Sequence, residues 1–510
     1  TRGGALAVFP TGAGKSLCYQ LPALLLEGLT LVVSPLLALM KDQIDALARL
    51  GIPAARLDSS LTLAQTQETT QAIRRGETKL LYVAPERFNN ERFLSLLQGV
   101  RIALFAVDEA HCISEWGHNF RPDYLKLAEA AQRLKVERVL ALTATATPSV
   151  VDDICRGFGI ARECGVVTGF YRPNLILETT AVDASERDGV LLERLRGREP
   201  GPTIVYVTLQ KTAERLAKWL SGQGLMARAY HAGMESDARV AVQEEWMASD
   251  RRIVVATIAF GMGIDKSNVR YVYHYNLPKG LESYSQEIGR AGRDGMPSTV
   301  ELLACADDVP TLENFAHGDT PTESSVRGLL RELLSLGPVF DVALTDLSSR
   351  HDVRPLVLRT ALTYLEIQGV LRQGTPSYGG YELRPLVPLE ELFAKFDPDR
   401  AEFLRRVLAE AKKGRIWYGL EPGRVAERLR EPRERVVRAL EYLEEKSWIE
   451  LRASDVRHHF TRVALDADID ALVALLTTRF ARRETTEVAR LQEVLALVEW
   501  PGCQASKLVA

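Results

Sequence analysis

The sequence predicts an α/β chain, with two parallel-sheet lobes followed by a mainly helical C-terminal region. Three observations carry this expectation. Short apolar runs alternate with longer helical patterns across residues 1–168, and the scheme repeats across residues 185–306. The runs lack polar alternation, as strands buried on both faces do. Beyond Asp307 the pattern changes to short helical segments with strand-like stretches between them.

In the first lobe the strand candidates are residues 6–9, 29–33, 80–83, 102–107 and 139–142. Strand and helix in strict alternation imply a parallel sheet. Residues 169–184 read as a linker. The second lobe offers strands at 203–207, 253–257, 269–274 and 299–304, with helices at 212–222 and 239–249 among them. Residues 307–398 read as three helices (325–337, 346–349, 355–368) and a hairpin over 370–383, turning at Pro376-Ser377-Tyr378-Gly379-Gly380. That is a winged-helix pattern. A second such unit is expected over 399–470, with helices at 424–430 and 433–446 and strands at 448–451 and 458–463. Residues 471–510 read as a helical tail. No low-complexity segment or short-period repeat stands out.

Composition sets bounds on function. A chain of 510 residues predicts about three or four domains. Hydrophobic residues make up 46% and charged residues 26%, enough for a large core. A net charge of -3 does not announce a nucleic-acid binder, so such a reading must rest on local clefts. The six cysteines show no C-x-x-C pair, which argues against a zinc or disulfide framework. Scattered cysteines fit a reducing compartment, cytoplasmic or nuclear. No signal peptide is visible, and no apolar run reaches the roughly 18 residues of a membrane span. The chain opens at Thr1, shortly before a phosphate-loop lysine, and closes at Ala510 in a helical pattern, so both ends read as trimmed.

The strongest local motif is Phe9-Pro10-Thr11-Gly12-Ala13-Gly14-Lys15-Ser16, between an apolar strand and a helix. Glycines there let backbone amides converge on phosphate oxygens. Thr11, Gly12, Ala13 and Gly14 are the expected cradle, Lys15 the counter-charge for the β- and γ-phosphates of ATP, and Ser16 a ligand of Mg²⁺. Asp108-Glu109-Ala110-His111 follows a second apolar strand. A carboxylate at such a strand end can hold Mg²⁺, and its neighbour can deprotonate the attacking water. Asp108 and Glu109 take these two roles. A third motif is Gln286-Glu287-Ile288-Gly289-Arg290-Ala291-Gly292-Arg293. Arginines three apart on a helix share a face. That face is either a basic surface or, in a two-lobed motor, the wall that stabilises the transferring phosphoryl group.

Together these motifs resemble superfamily-2 helicases. The stretch from Asp108 through Trp116, His118, Phe120, Arg121, Pro122 and Tyr124 resembles the RecQ signature, in which the acidic box runs into an aromatic-rich loop. The aromatic rings can stack on bases, and His118 and Arg121 can contact bases or phosphate. Thr143-Ala144-Thr145-Ala146 resembles the family's interlobe-coupling motif, and Tyr171-Arg172-Pro173-Asn174-Leu175 its lobe linker. Ser34-Pro35-Leu36, Ala84-Pro85-Glu86-Arg87, His231-Ala232-Gly233 and the run from Thr257 through Gly263 to Asp265 and Lys266 resemble its DNA-tracking motifs. Gly263 and Asp265 are further expected to bind nucleotide.

The resemblance implies two RecA-like lobes with ATP and Mg²⁺ between them. It also implies 3′ to 5′ movement and unwinding on single-stranded and duplex DNA, in repair or recombination. The alternative is a superfamily-2 translocase that does not unwind. No protein partner is indicated. The family's adenine-reading glutamine would lie before Thr1. Its four-cysteine zinc module is not found after the second lobe. Gly502-Cys503-Gln504 resembles the opening of that module, so Cys503 is either one zinc (Zn²⁺) ligand whose partners would lie beyond Ala510 or a plain thiol. Tyr378, at the expected wing turn, is either a strand-splitting pin or a packing residue. The helix pattern around Arg424–Arg438 is either DNA-facing or a solvated charged face.

Overall fold

Continuous valine, isoleucine and leucine runs supply the strands of the first sheet. In the computed structural model, the described residues are 3–509 except 11, 13, 36, 59, 60, 62, 115–120, 170, 262, 263, 265 and 415. Seven parallel strands form the first lobe: β1 (Gly3–Val8), β2 (Leu29–Val33), β3 (Ala54–Leu57), β4 (Leu80–Val83), β5 (Ile102–Val107), β6 (Arg138–Thr143) and β7 (Gly165–Val167). Their order is β3-β4-β2-β5-β6-β1-β7. Side chains alternate between two cores. Leu31, Val33, Leu81, Val83, Phe105 and Val107 enter one, while Val32, Leu80, Tyr82, Leu104 and Ala106 enter the other. Helices cover both faces, which is why these runs carry no polar alternation.

The second lobe repeats the plan with six parallel strands: β8 (Leu175–Ala181), β9 (Thr203–Tyr206), β10 (Ala227–Tyr230), β11 (Ile253–Ala256), β12 (Tyr271–His274) and β13 (Ser298–Ala304). Their order is β10-β11-β9-β12-β13-β8. Ile204 and Tyr206 face one core, Val205 and Val207 the other. One expectation needs correcting. Residues 175–181 are not linker but the edge strand β8, paired along its length with β13.

The C-terminal region is mainly helical and is organised around one antiparallel sheet. Its strands are β14 (Val339–Ala343), β15 (Leu371–Gln373), β16 (Ser377–Pro385), β17 (Lys412–Lys413), β18 (Tyr418–Leu420) and β19 (Ile449–Arg462). The order is β14-β19-β16-β18-β17, with β15 also on β19. The expected hairpin over 370–383 does not form, because β15 and β16 each pair with β19 and not with each other. The two strands expected at 448–451 and 458–463 are one long strand, β19. A single sheet therefore joins segments on both sides of residue 398. Gly379 and Gly380 serve close approach, not a turn: a Cβ on Gly379 would run into the Asp455 side chain, and one on Gly380 would sit 2.7 Å from Ser454 Oγ.

A 30-residue helix, Ile469–Val498, closes the region. Its first half enters the C-terminal core through Leu472, Val473, Leu476 and Phe480. Its second half enters lobe 2 through Leu491, Val494 and Leu497. Among the described residues, no helix is long and apolar enough to cross a membrane.

Candidate functional site

The site begins where β1 leaves its sheet. The Phe9 amide donates to the Thr143 carbonyl at 3.1 Å, the last tie before the phosphate loop. Gly12 and Gly14 take φ of +84° and +77°, a region costly for side-chain-bearing residues. Ser16 caps the helix Leu17–Leu25, and Lys15 and Ser16 are half-buried at its start. Such a glycine loop running into a helix N-terminus is the arrangement an anion site uses. Thr11 and Ala13 lie outside the described residues.

Asp108 stands at the end of β5, where its amide donates to the Val33 carbonyl at 2.9 Å. Its carboxylate accepts from the Glu109 amide at 3.0 Å. Burial, reinforced by the Glu109 charge and opposed by Lys15, pushes the Asp108 carboxyl up to about 7. A buried Asp108 carboxylate next to the partly buried Glu109 offers oxygen donors suited to a hard divalent cation such as Mg²⁺. Glu109 turns the chain out of the sheet with φ of +50°. His111 is buried and pushed down to about 3, chiefly by burial and then by the Lys15 and Arg121 charges, so its ring is neutral. Its Nδ1 lies 2.7 Å from Thr143 Oγ1 and 3.3 Å from the Glu109 carboxylate. The Thr143 hydroxyl in turn donates to the Thr145 carbonyl at 3.0 Å. A continuous polar chain thus joins the acidic pair to the 143–146 segment.

Lobe 2 completes the cleft. Gln286 is buried in the helix Leu281–Ile288, but that helix ends at Gly289. Arg290 and Arg293 therefore sit on the following loop, not on a helical face as expected. Arg290 is buried and donates to the Gly261 carbonyl. Arg293 donates to the Ile264 carbonyl at 3.2 Å, and its stem crosses the phosphate loop, 3.3 Å from where a Gly12 Cβ would stand. Two linker residues hold this loop. Arg172 donates to the carbonyls of Ala291 at 3.1 Å and Gly292 at 2.7 Å. Asn174 donates to Gly292 at 2.8 Å and Met296 at 2.9 Å. Sequence reading placed both in the linker but missed this grip, since nothing local shows which distant carbonyls a bare donor will meet.

Of the residues expected to contact DNA, Ser34, Pro35 and Arg87 follow strands of the first lobe and Thr257 follows a strand of the second. Ser34 and Pro35 follow β2, and Ser34 is buried. Arg87 reaches the Leu57 carbonyl at the end of β3, at 3.3 Å. Arg121 donates its amide to Cys112 at 3.1 Å and its guanidinium to the Pro35 carbonyl at 3.4 Å. Thr257 is buried just past β11, its amide on the Tyr230 carbonyl at 3.2 Å. Trp116, His118, Phe120, Gly263 and Asp265 lie outside the described residues. Tyr378 is not on a turn: it lies in β16 opposite Val456, its ring edge-on to Tyr381 at 6.0 Å. The argument for a pin at a hairpin tip therefore falls. Cys503 is exposed, and the described residues hold no group of three or more His, Cys, Asp or Glu that could bind a metal. Zinc takes about four donors, and the other donors expected for Cys503 would lie beyond Ala510.

The sequence matches the DEAD/DEAH box helicase family over residues 2–154 and the helicase conserved C-terminal domain over residues 187–295. The ATP-dependent DNA helicase RecQ of Bacillus subtilis is 44% identical over 309 residues, covering 60% of this chain and 52% of the relative. That of Pasteurella multocida is 44% identical over 299 residues, covering 59% and 47%. The probable ATP-dependent DNA helicase RecS of Bacillus subtilis is 40% identical over 331 residues, covering 64% and 66%. The chain thus spans about half to two thirds of these relatives. Among solved structures, a DUF1998 helicase, MrfA, bound to DNA superposes with a TM-score of 0.50 at 18% identity, covering 62% of this chain and 48% of that one. Mss116p bound to ssRNA and AMP-PNP gives 0.50 at 15%, covering 72% and 83%. At such identity the superpositions speak for the fold alone. The fold, the cleft and these matches make the chain similar to the two-lobed DEAD/DEAH box helicases. Within that class the chain is RecQ-like, on the strength of its first three hundred or so residues.

Proposed function

We propose that this chain carries the motor of an ATP-dependent DNA helicase that moves 3′ to 5′ and unwinds duplex DNA. The observation that carries the reading is Arg293 lying across Gly12, which brings lobe 2 onto the phosphate loop of lobe 1. Lys15 and the loop amides bind the ATP phosphates. Ser16 and Asp108 would hold Mg²⁺, which draws charge from the phosphate oxygens when bound. Glu109 accepts the proton of the attacking water. Arg293 stabilises charge on the transferring phosphoryl group, and Arg290 and Gln286 set the loop that presents it. Neutral His111 links Glu109 to Thr143, so a shift in one reaches the other. Ser34, Arg87, Arg121 and Thr257 grip the backbone of one strand, and Trp116, His118 and Phe120 stack on or contact its bases. Closure and opening of the lobes would then move the two grips along DNA.

The test measures ATP hydrolysis and unwinding of a 3′-tailed duplex, with single-stranded DNA and RNA as activators. DNA should stimulate turnover more than RNA, and Lys15→Ala should lower it at least about a hundredfold. Stimulated hydrolysis without unwinding would favour the translocase reading.

A further inference from the structure

The turn Pro122–Lys126, which follows Arg121, is held from two sides. On its inner side Tyr124 is fully buried, and its hydroxyl donates to the Asp108 carbonyl at 2.9 Å. On its outer side Leu125 packs against the core of the C-terminal region. Next to it, the Lys126 ammonium donates to Asn89 Oδ1 and to Gln373 Oε1, each at 3.2 Å, and pairs with the Glu366 carboxylate. Only 12% of the Lys126 side chain is exposed. The seat is itself organised. The Gln373 amide donates to Glu366 Oε1 at 3.2 Å, and Asn89 Nδ2 donates to Asp123 Oδ1 at 3.1 Å.

An ammonium has three protons, and here three acceptors from three separate segments meet them. A lysine that served only solubility would be solvated and unordered, since ordering a long side chain costs conformational entropy. The arrangement orients the turn as well as holding it. From Glu366 to Asp108 the path is short: carboxylate, ammonium, two residues of one turn, phenol, carbonyl.

We propose that Lys126 is a positioning residue through which the C-terminal region sets the nucleotide site. Seated on Glu366 and Gln373, it fixes the turn that carries Tyr124, and Tyr124 fixes the backbone from which Asp108 and Glu109 project. The rate of ATP turnover then depends on Glu366 and Gln373, which reach the acidic pair only through this turn. The consequence for turnover rests on the ATPase reading above; the seating itself does not.

The experiment compares wild type, Lys126→Met, Lys126→Arg and the double variant Lys126→Met/Glu366→Gln, which leaves no unpaired charge at the seat. DNA-stimulated kcat should fall about tenfold in Lys126→Met and in the double variant, with KM for ATP within about twofold of wild type. Lys126→Arg should recover at least half of the loss. A fold defect would lower active fraction and melting temperature without that rescue. Hydrogen exchange is followed in parallel at the Arg121 and Tyr124 amides, bonded to Cys112 and Arg121 carbonyls at 3.1 and 3.0 Å. Exchange there should speed up about tenfold in the double variant. A kcat within twofold of wild type in the double variant, or a rise in turnover, overturns the proposal. If wild type does not hydrolyse ATP, the function proposed above fails instead. Unchanged exchange at the two amides then overturns the positioning role separately.

Discussion

The C-terminal region meets the two lobes by opposite means. Against lobe 2 it lays an apolar seam: Leu491 and Val494 of the long helix pack with Leu277, Leu302, Ala304 and Leu312, and Leu497 enters the core that holds Tyr284 and Ile288. Arg490 guards that seam, 2.7 Å from Glu487 and 3.7 Å from Glu282. Against lobe 1 it offers Leu125 a place in its core and Lys126 a set of acceptors. An apolar seam is stabilised by area and tolerates small shifts, at roughly 25 cal/mol per Å². A polar seat demands alignment and contributes little net energy once water can replace it. The difference predicts that lobe 2 and the C-terminal region unfold together, while the lobe 1 contact, apolar among the described residues only at Leu125, gives way first.

The comparison can be broken most forcefully at the seam. Val494→Asp buries a charge among leucines and should cost about 3–5 kcal/mol, read as a large drop in melting temperature and early loss of lobe 2 structure. If the variant melts like wild type, the seam does not bind the two parts. At the lobe 1 contact the expected loss is smaller. Tyr124→Phe removes one buried hydrogen bond and should cost about 1 kcal/mol in denaturant unfolding, with turnover slowed in the same sense as in Lys126→Met. A cost as large as that of Val494→Asp would erase the proposed asymmetry.

The smallest effect concerns pH. Gln373 Nε2 lies 3.3 Å from His458 Nδ1. Burial holds His458 below the ordinary imidazole value, with Arg359 pushing the same way and Asp123 opposing. Below its unfolded value of 6.5 the unfolded chain takes up a proton that the folded chain refuses, so this group's contribution falls as pH falls. The melting temperature should therefore decline between about pH 7 and pH 5, and His458→Gln should flatten that slope. An unchanged slope would remove His458 from the account.

How much of this was legible in the chain depended on burial. Strands β2, β4 and β5 coincide with the apolar runs at 29–33, 80–83 and 102–107, because both faces of each are covered. The edge strands β3, β7 and β8 escaped because half-exposed positions give them mixed composition. At the site, Lys15, Asp108 and Glu109 could be placed together because phosphate loops and acidic strand ends are local patterns. The placement of Arg290 and Arg293 on a loop could not, since Gly292 takes its φ of +55° in a crowded fit against Asn174 and Ser298. The misread hairpin has the same origin. A glycine pair looks like a turn in sequence, whether it bends the chain or lets a strand some seventy residues later lie close. Lys126 had no sequence signal at all, because its partners Asn89, Glu366 and Gln373 stand far from it along the chain.

Strand β19 has one more consequence, for the order in which the chain can fold. It is the shared neighbour of β14, β15 and β16, yet it is made after all of them and after the helices between. Until residues 449–462 emerge from synthesis, β14 and β16 have no central partner and present open edges. The helix that seals lobe 2 follows later still, so Leu277, Leu302 and Leu312 stay wet through most of translation. Long-range closure of this kind is slow and leaves sticky intermediates. A nascent chain stalled before Ile449 would therefore be a client for holding chaperones, even with both parallel-sheet lobes already formed.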